Sequence, residues 1–98
     1  MATSTKPSSL TVRGQRISNR SNRRFLVVAV RPEPIRVTPE EAAISRGRLQ
    51  SGVYVAFAEV LKRSDSAVTA RRFQESQVGR MGFGTAVVLV DSVTGEEV

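Results

Sequence analysis

Residues 53–61, with the sequence VYVAFAEVL, decide the topology of this chain. The segment follows the turn-forming pair Ser51-Gly52, and its β-branched and aromatic residues favour a strand. A helix is the alternative, because one helical face would collect the larger apolar side chains of the region, namely Leu49, Val53, Ala56, Phe57, Val60 and Leu61. We predict a strand over Val53–Leu61; the alternative gives two helices against a small sheet.

Upstream of this segment, the sequence predicts one strand and one helix. The strand is FLVVAV at residues 25–30, a β-rich run that ends before Pro32 and Pro34. The helix begins at Thr38, where a capping hydroxyl is followed by Pro39 and Glu41 at capping-box spacing. We expect this helix to end near Gln50, although Gly47 lies within it.

Downstream, the pattern continues with a helix, a strand and a hairpin. Residues 64–66 are cap-forming, and the spacing of apolar residues after them predicts a short amphipathic helix that stops by Gly79. Residues 86–90 form an apolar strand, and residues 91–95 a turn that returns through residues 96–98. The predicted fold is therefore α+β, a small single domain of roughly β-α-β-α-β order with a C-terminal hairpin.

Composition excludes several classes of function. The 98-residue chain has no cysteine and no histidine, which removes thiolate and imidazole catalysis and the usual zinc sites. The apolar runs are shorter than the roughly 18 residues that a membrane-spanning helix needs. We predict no enzyme activity, no catalytic residue, no metal, no cofactor and no membrane association.

Charge is distributed unevenly along the chain. Residues 1–32 contain seven basic side chains and no acid, whereas residues 33–98 contain eight basic and nine acidic side chains. Residues 1–22 also hold few large apolar side chains, so we expect them to form a disordered basic arm ahead of a domain at residues 23–98. A cationic arm of this kind indicates a polyanionic partner, either nucleic-acid phosphate or an acidic protein surface.

The candidate anion-binding residues belong to this arm and to the second predicted helix. They are Arg13, Arg16, Arg20, Arg23, Arg24, Arg71 and Arg72. The leading hypothesis is a non-catalytic binding and assembly protein in the cytoplasm or within a viral or ribonucleoprotein particle. Alternatives are a structural subunit of a larger viral or ribosome-like particle held mainly by protein–protein contacts, a small inhibitor or adaptor of a host protein, and, for the arm alone, an organellar transit peptide.

A glycine-rich segment at residues 79–84, GRMGFG, resembles phosphate-binding loops only superficially. A phosphate-cradling loop follows a strand and precedes a helix, whereas here the predicted order is helix, loop and strand. The aromatic residues that stack bases on RNA-binding strands are also missing after Gly84. We interpret the segment as a helix-to-strand connection.

Overall fold

The computed structural model describes residues 9–19 and 23–98 of the chain. This part of the chain forms seven strands and two helices. In order they are β1 (Ser9–Val12), β2 (Gln15–Ser18), β3 (Phe25–Arg31), β4 (Ile35–Val37), α1 (Pro39–Ile44), β5 (Gly52–Tyr54), β6 (Phe57–Ser64), α2 (Ala67–Gln77) and β7 (Ala86–Asp91). The predicted α+β class and the small single domain are confirmed.

The centre of the domain is a three-stranded antiparallel sheet with the order β6-β3-β7. Its middle strand, β3, is the apolar run predicted from the sequence, and Leu26 to Val30 are fully buried. A strand that alternates buried side chains on both faces needs a covering layer on each side. The remaining elements supply these two layers.

Residues 53–61 are extended, as predicted, but they belong to two different strands. The chain breaks its pairing at Val55 and Ala56, leaving β5 on one side and β6 on the other. Within β6 a bulge places Leu61 opposite no residue of β3, since Val27 pairs with Lys62 and Val28 with Val60. The helical alternative for this segment is wrong.

One face of the central sheet is covered by α2. Its N-cap, Ser66, accepts a hydrogen bond from the Thr69 backbone, as the sequence predicted. Ala70 of this helix is fully buried and packs with Val27 and Leu89 of the sheet. The small side chain at position 70 lets the helix approach the sheet closely.

The opposite face is covered by the hairpin of β1 and β2, which corrects the prediction of a disordered arm for residues 9–19. Leu10, Val12 and Ile17 are buried in the same core cluster as Val28 and other residues of β3. Three apolar residues are enough to hold the hairpin in place, because they pack on the apolar face of the central sheet and need not form a core of their own. Residues 1–8 and 20–22, the rest of the predicted arm, lie outside the described residues.

A tight turn connects the two strands of this hairpin. Arg13 and Gly14 both have positive φ, 48° and 85°, which is the backbone conformation that a two-residue type I′ hairpin turn requires. Asparagine or glycine is the common residue at the first of these positions, so the pair Arg13-Gly14 is an unusual turn signal.

A second, smaller unit, which we call the lobe, comprises residues 35–54. In it β4 pairs with β5, and α1 lies in the connection between them. The predicted capping box of α1 is present between Thr38 and Glu41. The helix ends at Ile44 instead of near Gln50, because Arg46 and Gly47 take positive φ values of 57° and 85° that a helix cannot continue through.

The end of the described chain closes the β7 edge. After β7 the chain turns at Gly95, whose φ is 77°, and Val90 forms a single bridge with Glu97. The backbone of Val98 then donates to the Leu89 carbonyl. The predicted turn is confirmed, with an isolated bridge where a full return strand was expected. Over residues 9–19 and 23–98, no helix has the length and apolar character needed to cross a bilayer.

Candidate partner-binding surface

Two of the predicted anion-binding arginines are held by carboxylates of the domain at the start of β3. The Arg23 guanidinium donates to Asp65 at 2.7 Å, and that aspartate also accepts from the Arg24 backbone at 3.1 Å. Arg24 donates through two nitrogens to one oxygen of Asp91, at 2.9 and 3.2 Å. Both side chains thus tie β3 to neighbouring elements.

The Arg24–Asp91 pair is the more buried of these contacts on its acidic side. The side chain of Asp91 is only 10% exposed. The hydrogen bonds from Arg24 lower the pKa of Asp91, and a further bond from the Val93 backbone lowers this pKa as well. Asp91 therefore stays ionised and keeps Arg24 occupied.

The remaining arginines of the predicted arm differ in their contacts. Arg13, in the hairpin turn, makes a bidentate salt bridge to Glu97 with distances of 2.9 and 3.0 Å, which raises the pKa of Arg13. Arg16 is an exposed residue of β2. Arg20 lies outside the described residues.

The two predicted cations of α2 are both exposed. Arg71 donates to the carbonyl of Val98 at 3.4 Å, a weak contact, and Arg72 makes no ion pair within residues 9–19 and 23–98. Arg13 and Arg71 thus both reach the C-terminal segment, one from the hairpin and the other from α2, while Arg23 and Arg24 meet at Asp65. Four of the seven candidates therefore contact other parts of the same chain.

Arg31, at the end of β3, is a residue whose importance the sequence analysis missed. It is only 8% exposed, and its guanidinium donates to the carbonyls of Val55 and Phe83 and to the Thr85 hydroxyl at 3.0–3.1 Å. The same group lies 5.3 Å from the ring centre of Tyr54 and 5.0 Å from that of Phe57. One cation therefore joins the lobe, the central sheet and the loop before β7.

The glycine-rich segment is part of this junction, as a structural connection. The Phe83 carbonyl is a hydrogen-bond acceptor for Arg31. A Cβ at Gly84 would overlap the Ile35 side chain, and the φ of Gly84 is 72°. The prediction of a helix-to-strand connection is confirmed by its position between α2 and β7.

Several apolar side chains of the lobe and of the segments next to it are exposed. No residue of α1 is buried, and Ile44 is 80% exposed. Val53, Val55 and Phe83 are likewise more than two-fifths exposed. Ile44 and Phe83 lie together, and adjacent exposed apolar side chains commonly mark an interaction surface.

A groove runs along this surface, and we call it the lobe groove. Its lining consists of Ile44, Ser45, Arg46, Arg48, Leu49 and Phe83. The groove is open and has a volume of about 630 Å³, which is enough for a few side chains of a partner. Both arginines are exposed, and neither makes a salt bridge with a carboxylate of the described residues.

Internal hydrogen bonds fix the walls of the lobe groove. The Ser45 hydroxyl donates to the Ala42 carbonyl and accepts from the Leu49 backbone, at 2.6 and 3.0 Å. The hydroxyl of Tyr54 bonds both backbone groups of Gln50, and its ring meets Phe83 edge-on at a centroid distance of 6.2 Å. The groove is therefore formed before any partner arrives.

Four carboxylates of the described residues make contacts that stabilise the fold. Asp65, Asp91 and Glu97 pair with arginines, and Glu41 accepts from the Thr38 backbone, a bond that lowers the pKa of Glu41. In the part of the chain covered by the structure, no group of three potential metal ligands occurs.

Comparisons of the chain with known protein families, with curated proteins and with solved structures found no match.

Proposed function

We propose that this chain is a non-catalytic binding and assembly protein, and that it contacts a protein partner through the lobe groove. The observation that carries this proposal is the exposure of Ile44 on a helix that contributes no buried residue to the domain. A six-residue helix with a complete capping box is well defined yet does little for the core. Such an element is better explained by contacts outside the domain than by folding.

The state of the predicted cations favours a protein partner over nucleic acid. Arg13, Arg23 and Arg24 are paired with carboxylates of the same chain. Each would have to exchange that partner for a phosphate, so the gain from releasing phosphate counterions is reduced. Arg16 and Arg72 keep free guanidinium groups among the described residues, but two exposed cations on different elements make a weak phosphate footprint.

The non-catalytic character is supported by what the side chains do. The chain has neither histidine nor cysteine. Several serine hydroxyls bond backbone groups, among them Ser45 in the α1 turn, Ser66 in a helix cap and Ser92 after β7. A nucleophile would need a nearby base, and the paired carboxylates are held by arginines.

Site-specific photo-cross-linking in cells of the native source tests the proposal. A photoreactive phenylalanine analogue placed at Ile44 reports on the lobe groove. The same analogue at Glu75, an exposed residue of α2, serves as the matched control. We expect an adduct from position 44 that is degraded by protease and unaffected by nuclease, and a much weaker adduct from position 75.

Two outcomes would contradict the proposal. Equal labelling at positions 44 and 75 would show that the lobe groove has no preferred partner. An adduct from position 44 that nuclease removes would instead favour nucleic-acid binding. In that case, filter binding of duplex and single-stranded nucleic acid at low and moderate salt would measure the affinity directly.

A further inference from the structure

The geometry points to a partner of defined chemistry for the lobe groove: an acidic protein segment with one or two apolar anchor side chains. This inference rests on the proposed function and names the chemistry of its partner. It follows from two features of the groove, an apolar floor and a pair of exposed cations, which together match a peptide that alternates acidic and large apolar residues.

The apolar part of the site is formed by Ile44, Leu49 and Phe83. Ile44 and Phe83 are 80% and 45% exposed, so a partner side chain that covers them removes apolar surface from water. Phe83 also makes an edge-on contact with Tyr54, which helps to hold its ring in place. An aromatic or aliphatic anchor is the complement of such a floor.

The charged part of the site is formed by Arg46 and Arg48. They stand on either side of Gly47, within the turn that ends α1, and both line the groove. The acids of α1 are Glu40 and Glu41 in its first turn, and Glu41 is bonded to Thr38. A carboxylate arriving at the groove would therefore meet two guanidinium groups that make no salt bridge within the described chain.

The backbone around these arginines is already held in an uncommon conformation. Arg46 has a φ of 57°, which costs about 1 kcal/mol for a residue other than glycine or asparagine. The Ser45 hydroxyl bonds on both sides of the turn keep this conformation in place. A pre-formed turn reduces the entropy lost on binding, which benefits a short peptide ligand most.

A second copy of this chain is a poorer occupant. A two-fold interface formed by the lobe groove would bring Arg46 and Arg48 of one copy close to the same residues of the other. Like charges at the centre of such an interface are unfavourable unless acids intervene, and neither Glu40 nor Glu41 lines the groove. An acidic segment would instead form salt bridges with Arg46 and Arg48.

The test uses the full chain and a short fluorescein-labelled peptide in which phenylalanine and leucine alternate with aspartate and glutamate. The control peptide replaces every acid by its amide. Binding is followed by fluorescence anisotropy at low and moderate salt. We expect the acidic peptide to bind at least about tenfold more tightly than the amide control at low salt, because each exposed ion pair adds a modest amount.

Variants of the protein then locate the peptide. The double variant Arg46→Asn, Arg48→Gln keeps a residue suited to positive φ and removes both charges. It should weaken binding of the acidic peptide about tenfold while leaving the amide control unchanged. Arg72→Gln, on α2, is the matched control and should alter neither, and far-ultraviolet circular dichroism verifies that all variants are folded.

The outcomes separate this inference from the proposed function. Equal binding of the two peptides, or equal weakening by Arg72→Gln, overturns the acidic partner while a cross-linked protein at position 44 would still support a protein-binding role. Concentration-dependent self-association that Ile44→Ser abolishes would overturn it in favour of a second copy. Absence of a protein adduct at position 44 would remove the proposed function together with this inference.

Discussion

Arg31 shows how a single residue organises this molecule. Its guanidinium uses three nitrogens for three acceptors, one at Val55 and two in the loop before β7, and the planar fork suits that arrangement. The sequence offered a weak signal for this role, a charge placed directly after the apolar run at residues 25–30 and before Pro32. Its acceptors, however, come from residues 24 to 54 positions away along the chain, so only the tertiary structure reveals them.

We predict that Arg31→Met lowers the free energy of unfolding by about 1–3 kcal/mol, because two part-buried carbonyls and a hydroxyl lose their donor. Arg31→Lys should recover only part of this loss, since an ammonium cannot reach all three acceptors at once. Urea unfolding monitored by circular dichroism measures both. Arg16→Met is the control for an exposed cation, and an equal effect at position 16 would contradict this account of Arg31.

The lowered pKa of Asp91 should make the free energy of unfolding depend on pH. Its folded-state pKa lies below the unfolded value, chiefly because Arg24 donates to it. The pair therefore stabilises the fold fully above an unfolded pKa of about 3.9, and this stabilisation is lost as the pH falls through the depressed folded value. The unfolding free energies of wild type and Asp91→Asn should differ near neutral pH, and the difference should shrink progressively as the pH falls below the unfolded pKa. A constant difference would show that the charge of Asp91 is irrelevant.

At the scale of elements, the features that depend on residues close together in the sequence were predicted correctly. The Thr38 and Ser66 caps, the apolar run at Leu26–Val30 and the Gly95 turn all appear where the sequence placed them. The β1–β2 hairpin was missed because its turn uses Arg13 at positive φ, and because its three apolar residues look too few until the sheet beneath them is considered. The lobe was missed because pairing of β4 with β5 joins segments separated by a helix.

The hairpin should contribute strongly to stability. Ile17→Ala removes a side chain that is 5% exposed and packed on the sheet, so we expect a loss of about 2–4 kcal/mol in the free energy of unfolding. Thr11→Ala, on the exposed side of β1, should cost less than about 0.5 kcal/mol. Urea titrations of both variants measure the contrast. A loss at Ile17 no larger than that at Thr11 would mean that the hairpin is not docked.

The lobe helix should behave in the opposite way. Ile44→Ser changes a large aliphatic residue, yet the side chain is 80% exposed, so we expect less than about 0.5 kcal/mol of change in stability. The same variant should lose the position-specific partner contact of the lobe groove. Retention of the partner by a folded Ile44→Ser protein would contradict the role assigned to this residue.

At the scale of the whole molecule, the charge asymmetry of the sequence has a structural outcome. Paired cations of residues 9–31 connect the hairpin and β3 to Asp65, Asp91 and Glu97 in the second half of the chain. The candidate anion-binding residues at positions 13, 23 and 24 were recognisable as clustered charge, but their partners could not be read from spacing. The groove arginines at positions 46 and 48 were not predicted as binding residues, because nearby acidic residues balance their charge and no cluster of like charge marks them.

Deletion of residues 1–22 should therefore disrupt the domain. Leu26, Val28 and Val30 would lose their cover on one face of the sheet, and we expect a loss of cooperative thermal unfolding together with aggregation. Circular dichroism melting and size-exclusion chromatography report on this. A truncated protein that unfolds cooperatively near the wild-type temperature would contradict the layered arrangement.

Hydrogen–deuterium exchange of the intact protein tests the central claim most directly, namely that the basic N-terminal hairpin is a layer of the folded domain. We predict that peptides covering residues 10–17 exchange slowly, with protection approaching that of Leu26–Val30 in β3. Exchange of residues 10–17 at the rate of an unstructured chain, while β3 remains protected, would contradict it.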